Sequence, residues 1–305
     1  MRKNILVIGG SYFAGRVFNI LSSREDNFEI HTVNRGSHPL IGLPHVNQYK
    51  CDRHNPLELS RLVPQIVFDA VIDFCAYAAN DIRSIMEALS GRIRQYIYIS
   101  TSSVYDPSIS RKKKEGDPIL TNAKGNYIER YIDDKALLEE ECIETAARLG
   151  ISYTILRPAF LYGPYNYAPR ESWYIQKIVK GEPIPITTDC LSRFSFLYVV
   201  DLAQALKTCV GNPNAQNEIF NLAGPEEITY DIFIRTLKEL SDIPFTTEPY
   251  TVQEVLDLNL PLPFPLENND LCDGSKAQEK LNLTYTPFRE GMGKTFKIFK
   301  NVFTQ

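Results

Sequence analysis

A tyrosine and a lysine stand one helical turn apart in the stretch YIDDK, at Tyr131 and Lys135. This spacing puts both side chains on one face of a helix, where the ammonium group stabilises a phenolate. A tyrosine ordinarily titrates near pH ~10, so a lowered pKa would make Tyr131 a usable acid or base. Because a chain with 17 tyrosines contains such a pair by chance, its place in the fold must decide whether it is catalytic.

The stretch YIYISTSSVYD ends an apolar strand in hydroxyl-bearing residues. A hydroxyl at this point could bond the oxygen of a substrate. In a parallel sheet, the carboxyl ends of the strands are where ligands bind. This strand end is therefore where partners of Tyr131 and Lys135 in catalysis would be sought.

A glycine turn follows the first strand in NILVIGGSYFAGR, residues 4–16. Gly9 and Gly10 allow a tight reversal, and Gly15 allows the next helix to pack closely on the strand. The amino terminus of that helix would offer N–H groups and a positive dipole end to a pyrophosphate. Tyr12 occupies the position where a third glycine is expected, and we place it at the pyrophosphate rim. The predicted pyrophosphate loop comprises Gly9, Gly10, Ser11, Tyr12, Phe13 and Gly15.

The second strand ends in HTVNRG, where an NAD site usually has an acidic residue and an NADP site an arginine. Asn34 and Arg35 therefore favour NADP over NAD, although Arg35 could equally be a solvent-facing loop charge. Asp52, in KCDRHN, could bond the adenine amino group or could cap a helix. Cys75, after the strand FDAVIDF, is assigned to the same cofactor site.

Short apolar runs alternate with longer helical ones through the first half of the chain. The runs are continuously apolar, as in a parallel sheet covered by helices on both faces. We predict an α/β fold: a Rossmann-type doubly wound parallel sheet with a smaller, mostly helical substrate-binding lobe. The dinucleotide-binding domain is predicted to span 1–162 plus 193–223, and the lobe 163–192 plus 224–305.

Composition narrows the class of partner. The chain has 305 residues, 44% of them hydrophobic, and a net charge of −4, which makes nucleic acid an unfavourable main partner. No run reaches the roughly 18 apolar residues that span a bilayer, and no signal-peptide pattern is present, so we predict a cytoplasmic protein without a membrane partner. The four histidines lack metal-ligand spacing, and no metal site is predicted.

Five stretches together resemble the extended short-chain dehydrogenase/reductase superfamily, in its NAD(P)-dependent epimerase/dehydratase group. They are the glycine turn, STSSVY, YIDDK, LRPAFLYGP and FLYVVDLAQAL. The resemblance implies that Thr101 polarises the substrate oxygen and that Tyr131 removes a hydroxyl proton as hydride leaves for the nicotinamide. It also implies that Lys135 lowers the pKa of Tyr131 and holds the nicotinamide ribose. Pro158 would lie where the chain passes beside the nicotinamide carboxamide, and the chain would form a homodimer.

The chain departs from this family pattern near the substrate. Ser102 and Ser103 replace the acidic pair of the family's 4,6-dehydratases, so dehydration is disfavoured. Phe160 and Phe194 stand where an asparagine and an arginine usually contact a nucleotide-sugar diphosphate. Arg193 is adjacent to Phe194 and is a candidate substrate ligand, although strand alternation would point it to the other face.

Two functions remain open. The first is an NAD(P)-dependent oxidoreductase or epimerase for a hydroxylated small molecule, such as a sugar or nucleotide sugar. Tyr162 and Tyr165 would line its sugar pocket, unless they pack in the core. The second is a non-catalytic protein that binds RNA or another protein, because the bulky Tyr12 also resembles a branch that contains chloroplast stem-loop RNA-binding proteins. The complete Thr101, Tyr131 and Lys135 set favours the enzyme.

Overall fold

A computed structural model describes residues 2–120 and 127–304 of the chain. A parallel seven-stranded sheet forms its centre, in the order β10-β6-β5-β4-β1-β2-β3. The described strands are β1 (Lys3–Ile8), β2 (Phe28–Asn34), β3 (Val46–Lys50), β4 (Ala70–Asp73), β5 (Gln95–Ile99), β6 (Ser152–Pro158), β7 (Phe160–Tyr162), β8 (Ile184–Thr187), β9 (Phe196–Tyr198), β10 (Glu218–Leu222) and β11 (Thr247–Tyr250).

Helices connect the strands; some cover the two faces of the sheet, and others belong to a smaller group of elements beside it. They are α1 (Phe13–Ser22), α2 (Pro56–Leu62), α3 (Asp81–Ala88), α4 (Tyr127–Leu149), α5 (Glu171–Lys180), α6 (Val199–Cys209), α7 (Tyr230–Leu240), α8 (Val252–Asp257), α9 (Ser275–Leu281) and α10 (Phe288–Thr304). This architecture confirms the predicted doubly wound α/β fold.

Alternate residues of each central strand enter different cores, which explains why these strands are continuously apolar. In β1, Ile5 and Val7 pack with α1, α6 and α9 on one face. Leu6 and Ile8 pack with α2, α3 and α4 on the other face. The last four side chains of β1, from Ile5 to Ile8, are thereby removed from water.

A smaller group of elements lies beside the sheet and has its own aromatic core. It contains the strand pairs β7–β9 and β8–β11 with helices α5, α7 and α10. Rings of Phe196, Phe233, Phe264 and Phe288 contact one another in this core. Helix α9, although late in the chain, packs on the sheet through Ala277 and Leu281. The predicted domain boundaries stay a prediction.

The strand order reverses between β1 and β4, because the chain runs outward through β2 and β3 and then returns to the far side of β1. A crevice at the carboxyl ends of the strands is expected at such a point. No helix within residues 2–120 or 127–304 has the length and apolar character needed to cross a membrane.

Candidate active site

A cleft of about 1090 Å³ opens at this reversal point, between the carboxyl edge of the sheet and the aromatic lobe. It brings together most of the residues that the sequence indicated. Those lining it are Gly9, Gly10, Ser11, Tyr12, Phe13, Gly15, Asn34, Arg35, Asp52, Cys75, Thr101, Tyr131, Lys135 and Pro158.

The glycine turn forms one end of the cleft, and its geometry requires glycine. Gly10 has φ +70°, and a Cβ atom there would lie 2.5 Å from Cγ1 of Val7. A Cβ atom on Gly15 would lie 2.4 Å from the Cα of Gly10. The start of α1 therefore approaches the end of β1 so closely that no side chain fits, which leaves backbone N–H groups facing the cleft, as a pyrophosphate requires.

Tyr12 fits this turn without strain. Its backbone is extended, with φ −136° and ψ 152°, a conformation open to any residue. Its ring stacks between His38, with centroids 4.6 Å apart, and Tyr167, at 5.4 Å. The side chain thus lies in a three-ring stack that joins the turn to the lobe, and the next residue, Phe13, takes the strained φ of +39°.

The side chain of Asn34, at the end of β2, has a hydrogen-bond donor that no described residue uses. Oδ1 of Asn34 accepts from the N–H of Gly36 and from Gln48, both at 2.8 Å. The buried Nδ2 of Asn34 has no partner within the described protein. Arg35, exposed on the same loop, lines the cleft beside it. A buried amide donor beside a free guanidinium fits a ribose with a hydroxyl or phosphate at its 2′ position.

Asp52 lies in the cleft and does not cap a helix, since Asn55 is the N-cap of α2. Hydrogen bonds from His54 are the main reason that the pKa of Asp52 lies below its ordinary value, and the charge of Arg35 adds to them. The carboxylate is therefore ionised, as an acceptor for an adenine amino group would be.

A buried arginine that the sequence analysis missed supports this end of the cleft. Arg53 donates to Oδ1 of Asp73 at 2.8 Å and to the carbonyl of Asp81 at 2.5 Å. Asp73 also accepts from the hydroxyl of Tyr96 and from the N–H of Cys75. The position of Arg53 next to Asp52 in the sequence was the signal that could have indicated it. Burial raises the pKa of Cys75 to about 12, so its thiol is neutral.

Lys135 and Tyr131 meet at the other end of the cleft. Nζ of Lys135 is buried and donates to the carbonyls of Ala76 at 3.0 Å and Ile99 at 2.9 Å. An ammonium group has three N–H bonds, so one remains for a group in the cleft. Nζ lies 6.0 Å from the ring centroid of Tyr131 and 4.6 Å from that of Tyr77. Burial lowers the pKa of Lys135 to about 8.

Thr101 precedes a short 3₁₀ turn, Ser102–Val104, at the end of β5. Its Oγ1 accepts from the N–H of Ser103 at 3.2 Å, which leaves the hydroxyl proton free to donate into the cleft. Its hydroxyl group and the phenol of Tyr131 line the same cavity.

A buried polar network joins the end of β5 to α4 and β6. Ser100, at the end of β5, donates to Glu139 of α4 at 2.5 Å. Arg157 of β6 donates to both carboxylate oxygens of Glu139, at 2.9 Å through Nε and 2.5 Å through Nη2. Because Ser100 adjoins Thr101 and Glu139 follows Lys135 by one turn, this network sets the distance between Thr101 and the Tyr131 helix.

Three predicted substrate residues lie outside the cleft. Tyr162 is buried in the aromatic core against Tyr198, with ring centroids 5.3 Å apart. Arg193 points outward, as strand alternation indicates, and pairs with Glu227 at 2.9 Å. Tyr165 is exposed, and its ring lies 5.2 Å from the guanidinium carbon of Arg16. Packing of the lobe, which the sequence did not reveal, directs these side chains elsewhere.

The lobe instead lines the cleft with Phe160, Asn166, Tyr167 and Arg170. The loop that carries them is held from beneath by the buried Glu171. This carboxylate accepts from the N–H of Gly163 and from Nδ2 of Asn166, each at 3.0 Å. Arg170 was missed, although it is the first charged residue of the aromatic segment after Arg157.

Comparison with known proteins assigns the family. The family model described as NAD dependent epimerase/dehydratase family matches residues 5–223. A chloroplast stem-loop binding protein of 41 kDa from Arabidopsis thaliana is 28% identical over 79% of this chain, which spans 64% of that relative's length. A UDP-glucose 4-epimerase of Vibrio cholerae is 23% identical, over 80% of this chain and 77% of its own.

Solved structures show the same fold. UDP-glucose 4-epimerase of Thermotoga maritima superposes with a TM-score of 0.78 at 21% identity, covering 98% of this chain and 99% of that one. UDP-glucuronic acid 4-epimerase of Bacillus cereus, in complex with UDP-glucuronic acid and NAD, gives 0.78 at 18% identity with the same coverage. This chain belongs to the NAD dependent epimerase/dehydratase family.

Proposed function

We propose that this protein is an NAD(P)-dependent oxidoreductase or epimerase of a hydroxylated small molecule, with Tyr131 as its acid/base. One observation carries the proposal: the buried Lys135 retains an N–H bond beside Tyr131 in the cleft that also contains Thr101 and the glycine turn. Burying an ammonium group lowers the stability of the fold unless hydrogen bonds or opposite charges compensate for the lost hydration. A protein that only bound a partner would have no reason to keep this arrangement.

The residues divide the work as follows. The hydroxyl of Thr101 donates to the substrate oxygen and holds it beside the phenol of Tyr131. The positive charge of Lys135 favours the phenolate, which accepts the hydroxyl proton as a carbonyl forms. A bound oxidised dinucleotide would supply the acceptor for the hydride that leaves the same carbon. For an epimerisation, the hydride returns to the other face of that carbon while Tyr131 returns the proton to the oxygen. A net reduction is the second half alone, in which Tyr131 donates a proton to a carbonyl substrate and reduced dinucleotide would supply the hydride.

NADP is the proposed cofactor. Arg35 would pair with a 2′-phosphate, the unpartnered Nδ2 of Asn34 would donate to the same group, and no carboxylate stands in the NRG stretch to repel it. Asp52 would accept from the adenine amino group, and Gly9, Gly10 and Gly15 would admit the pyrophosphate.

The proposed substrate is a sugar or a nucleotide sugar. Relatives of similar fold are described as acting on or binding UDP-glucose and UDP-glucuronic acid. Because Ser102 and Ser103 lack carboxylates, elimination of water from the sugar has no acid and base of the family type, so 4,6-dehydratase activity is not proposed.

RNA binding is the second candidate, on the strength of the 28% identity to a stem-loop binding protein. Calorimetry with NADP, NAD and a short RNA hairpin separates the two. We expect NADP to bind and to raise the melting temperature, and the hairpin to do neither, because the chain has a net charge of −4. Stabilisation by the hairpin alone would reverse this ranking.

A homodimer and a cytoplasmic location complete the proposal. Light scattering on the purified protein at micromolar concentration tests the dimer, and fractionation of the source cells tests the location. A monomeric mass would remove the dimer without affecting the chemistry.

A further inference from the structure

One cation of the cleft has no part in the proposed reaction. Arg170 lies immediately before α5 and lines the lobe side of the cleft. Its guanidinium carbon stands 5.1 Å from the centroid of the Phe160 ring. Stacking of this kind fixes the plane of a guanidinium group and leaves the N–H edge available for an anion.

Within the part of the chain that the structure describes, no carboxylate is hydrogen-bonded to this cation. Among the described residues, no ion pair or side-chain hydrogen bond involves Arg170. The neighbouring Glu171 turns inward to Gly163 and Asn166. Asp270, another acidic residue of the cleft, accepts from Lys113 at 3.0 Å, which balances its charge. A charge that is partly removed from water needs a partner, and here a ligand is left to provide one.

Arg170 lines the same cleft as Tyr131, so a ligand on its guanidinium lies in the cavity that contains the proposed acid/base. Burial lowers the pKa of Arg170, while Glu171, Tyr167 and Tyr131 act in the opposite direction. The ring of Phe160, beneath the guanidinium, can neither donate nor accept a hydrogen bond, so an anion at this place would be bound by the cation.

We propose that Arg170 binds an anionic oxygen group of the substrate, a carboxylate or a phosphate. The inference rests on the proposed function, because it takes the ligand of the cleft to be the substrate of Tyr131. It makes the preferred substrate an acidic or phosphorylated sugar, and it makes Arg170 the residue that separates such sugars from neutral ones.

Binding of four probes to the wild-type protein tests this, with and without NADP. Glucuronate offers a carboxylate, glucose 6-phosphate a phosphate, UDP-glucose a diphosphate, and glucose no charge. We expect at least one anionic probe to bind, and Arg170→Gln to weaken it by about tenfold to a hundredfold, the value of a hydrogen bond to a charged group. Arg170→Lys should retain part of the affinity, because it keeps the positive charge but loses the planar set of N–H donors of the guanidinium group.

Arg193→Gln is the matched control, since Arg193 lies outside the cleft. It should leave probe binding unchanged, and circular dichroism should show that Arg170→Gln is folded. The probe that loses affinity identifies the anionic group. Equal binding to wild type and Arg170→Gln, or no anionic probe binding above glucose, would overturn the proposal. Failure of NADP to bind would instead contradict the proposed function, because the anion site is measured without cofactor as well.

Discussion

The sheet wall of the cleft, formed by the loops after β1, β2, β3, β4 and β5, differs in construction from the lobe wall, formed by six residues between 160 and 170 with Pro263 and Asp270. The sheet wall has glycine backbone at its surface and buried ion pairs beneath it, such as Arg53 with Asp73 and Arg157 with Glu139. The lobe wall presents aromatic rings and Arg170, which has no ion pair among the described residues.

This difference separates two tasks. Binding of a dinucleotide and transfer of a proton require groups held at fixed distances, which buried pairs and tight turns provide. Selection of a substrate requires only a surface that complements one ligand, and that surface tolerates exchange of residues. The departures from the family pattern at Phe160 and Phe194 accordingly lie on the lobe side.

Among changes to the sheet wall, loss of the Tyr131 hydroxyl should have the largest effect, which is on turnover. Tyr131→Phe is expected to reduce turnover by about 10²–10⁴-fold, the usual contribution of an acid/base, with little change in NADP affinity. Steady-state kinetics and calorimetry measure the two quantities. Tyr165→Phe, outside the cleft, is the control, and full activity in Tyr131→Phe would contradict the assignment.

Breaking the ion pair beneath the sheet wall should affect stability next. Glu139→Ala leaves Arg157 buried and uncompensated, which costs about 3–5 kcal/mol of unfolding free energy. Denaturant titration measures this cost. Glu140→Ala, at the exposed neighbouring position on α4, should change stability by less than about 0.5 kcal/mol. Equal effects of the two substitutions would show that the pair does not hold the wall together.

Activity should depend on pH through Lys135, whose pKa burial lowers to about 8. The ammonium group is present below that pH and lost above it, so turnover should fall about tenfold per pH unit above pH ~8 as the phenolate loses its support. The pKa of Lys135 is lower in the folded than in the unfolded protein. Below about pH 8 the buried group is charged, and this charge lowers the unfolding free energy by its full amount. Between about pH 8 and pH ~10.4 the folded protein has lost this proton while the unfolded chain still binds it, so the unfolding free energy rises with pH.

The pH profile of stability for Lys135→Met provides the control. Its unfolding free energy should lack the rise that the wild-type group contributes above about pH 8. If both proteins show the same slope, the lowered pKa belongs to another group.

Cofactor choice tests the outer part of the sheet wall. Arg35→Ser should weaken NADP by about tenfold and leave NAD unchanged, because only the 2′-phosphate loses a charged partner. Calorimetry with both cofactors measures the ratio, and Arg24→Ser, on the exposed loop after α1, serves as the control. Equal losses for NADP and NAD would contradict the proposed role of Arg35.

The contact between the two walls should contribute least. Tyr12 stacks on Tyr167 across the cleft with centroids 5.4 Å apart, and such a pair adds about 0.5–1.5 kcal/mol. A double-mutant cycle with Tyr12→Ala and Tyr167→Ala should return a coupling energy of this size. Tyr167→Phe should restore it, and a coupling near zero would show that the two walls are independent.

The sheet wall was largely predictable because each of its features has a local signature. Continuous apolar runs indicated the parallel strands. Gly10 and Gly15 occupy positions where no side chain fits, and Gly9 has a φ of +91° that favours glycine. The i, i+4 pair of Tyr131 and Lys135 lies on α4 as its spacing requires. The assigned roles of these residues stay predictions.

The lobe wall could not be predicted in the same way. Tyr162 was predicted to line a sugar pocket or to pack in the core because it is aromatic, and packing against Phe196 and Phe288 buries it away from the cleft. Arg170 carries no motif, and its proposed role follows from Glu171 turning inward, which leaves Arg170 without an ion pair in the described part of the chain. Such facts depend on contacts between segments far apart in the chain.

The amino-acid sequence by itself determined the α/β class, the nucleotide turn and the Tyr131 and Lys135 pair, because periodicity, glycine geometry and helical spacing act over a few residues. Only the tertiary structure decided which side chains face the substrate. Their direction depends on how the aromatic core of the lobe packs against the sheet. The effect of a buried charge depends on which groups the tertiary structure places around it.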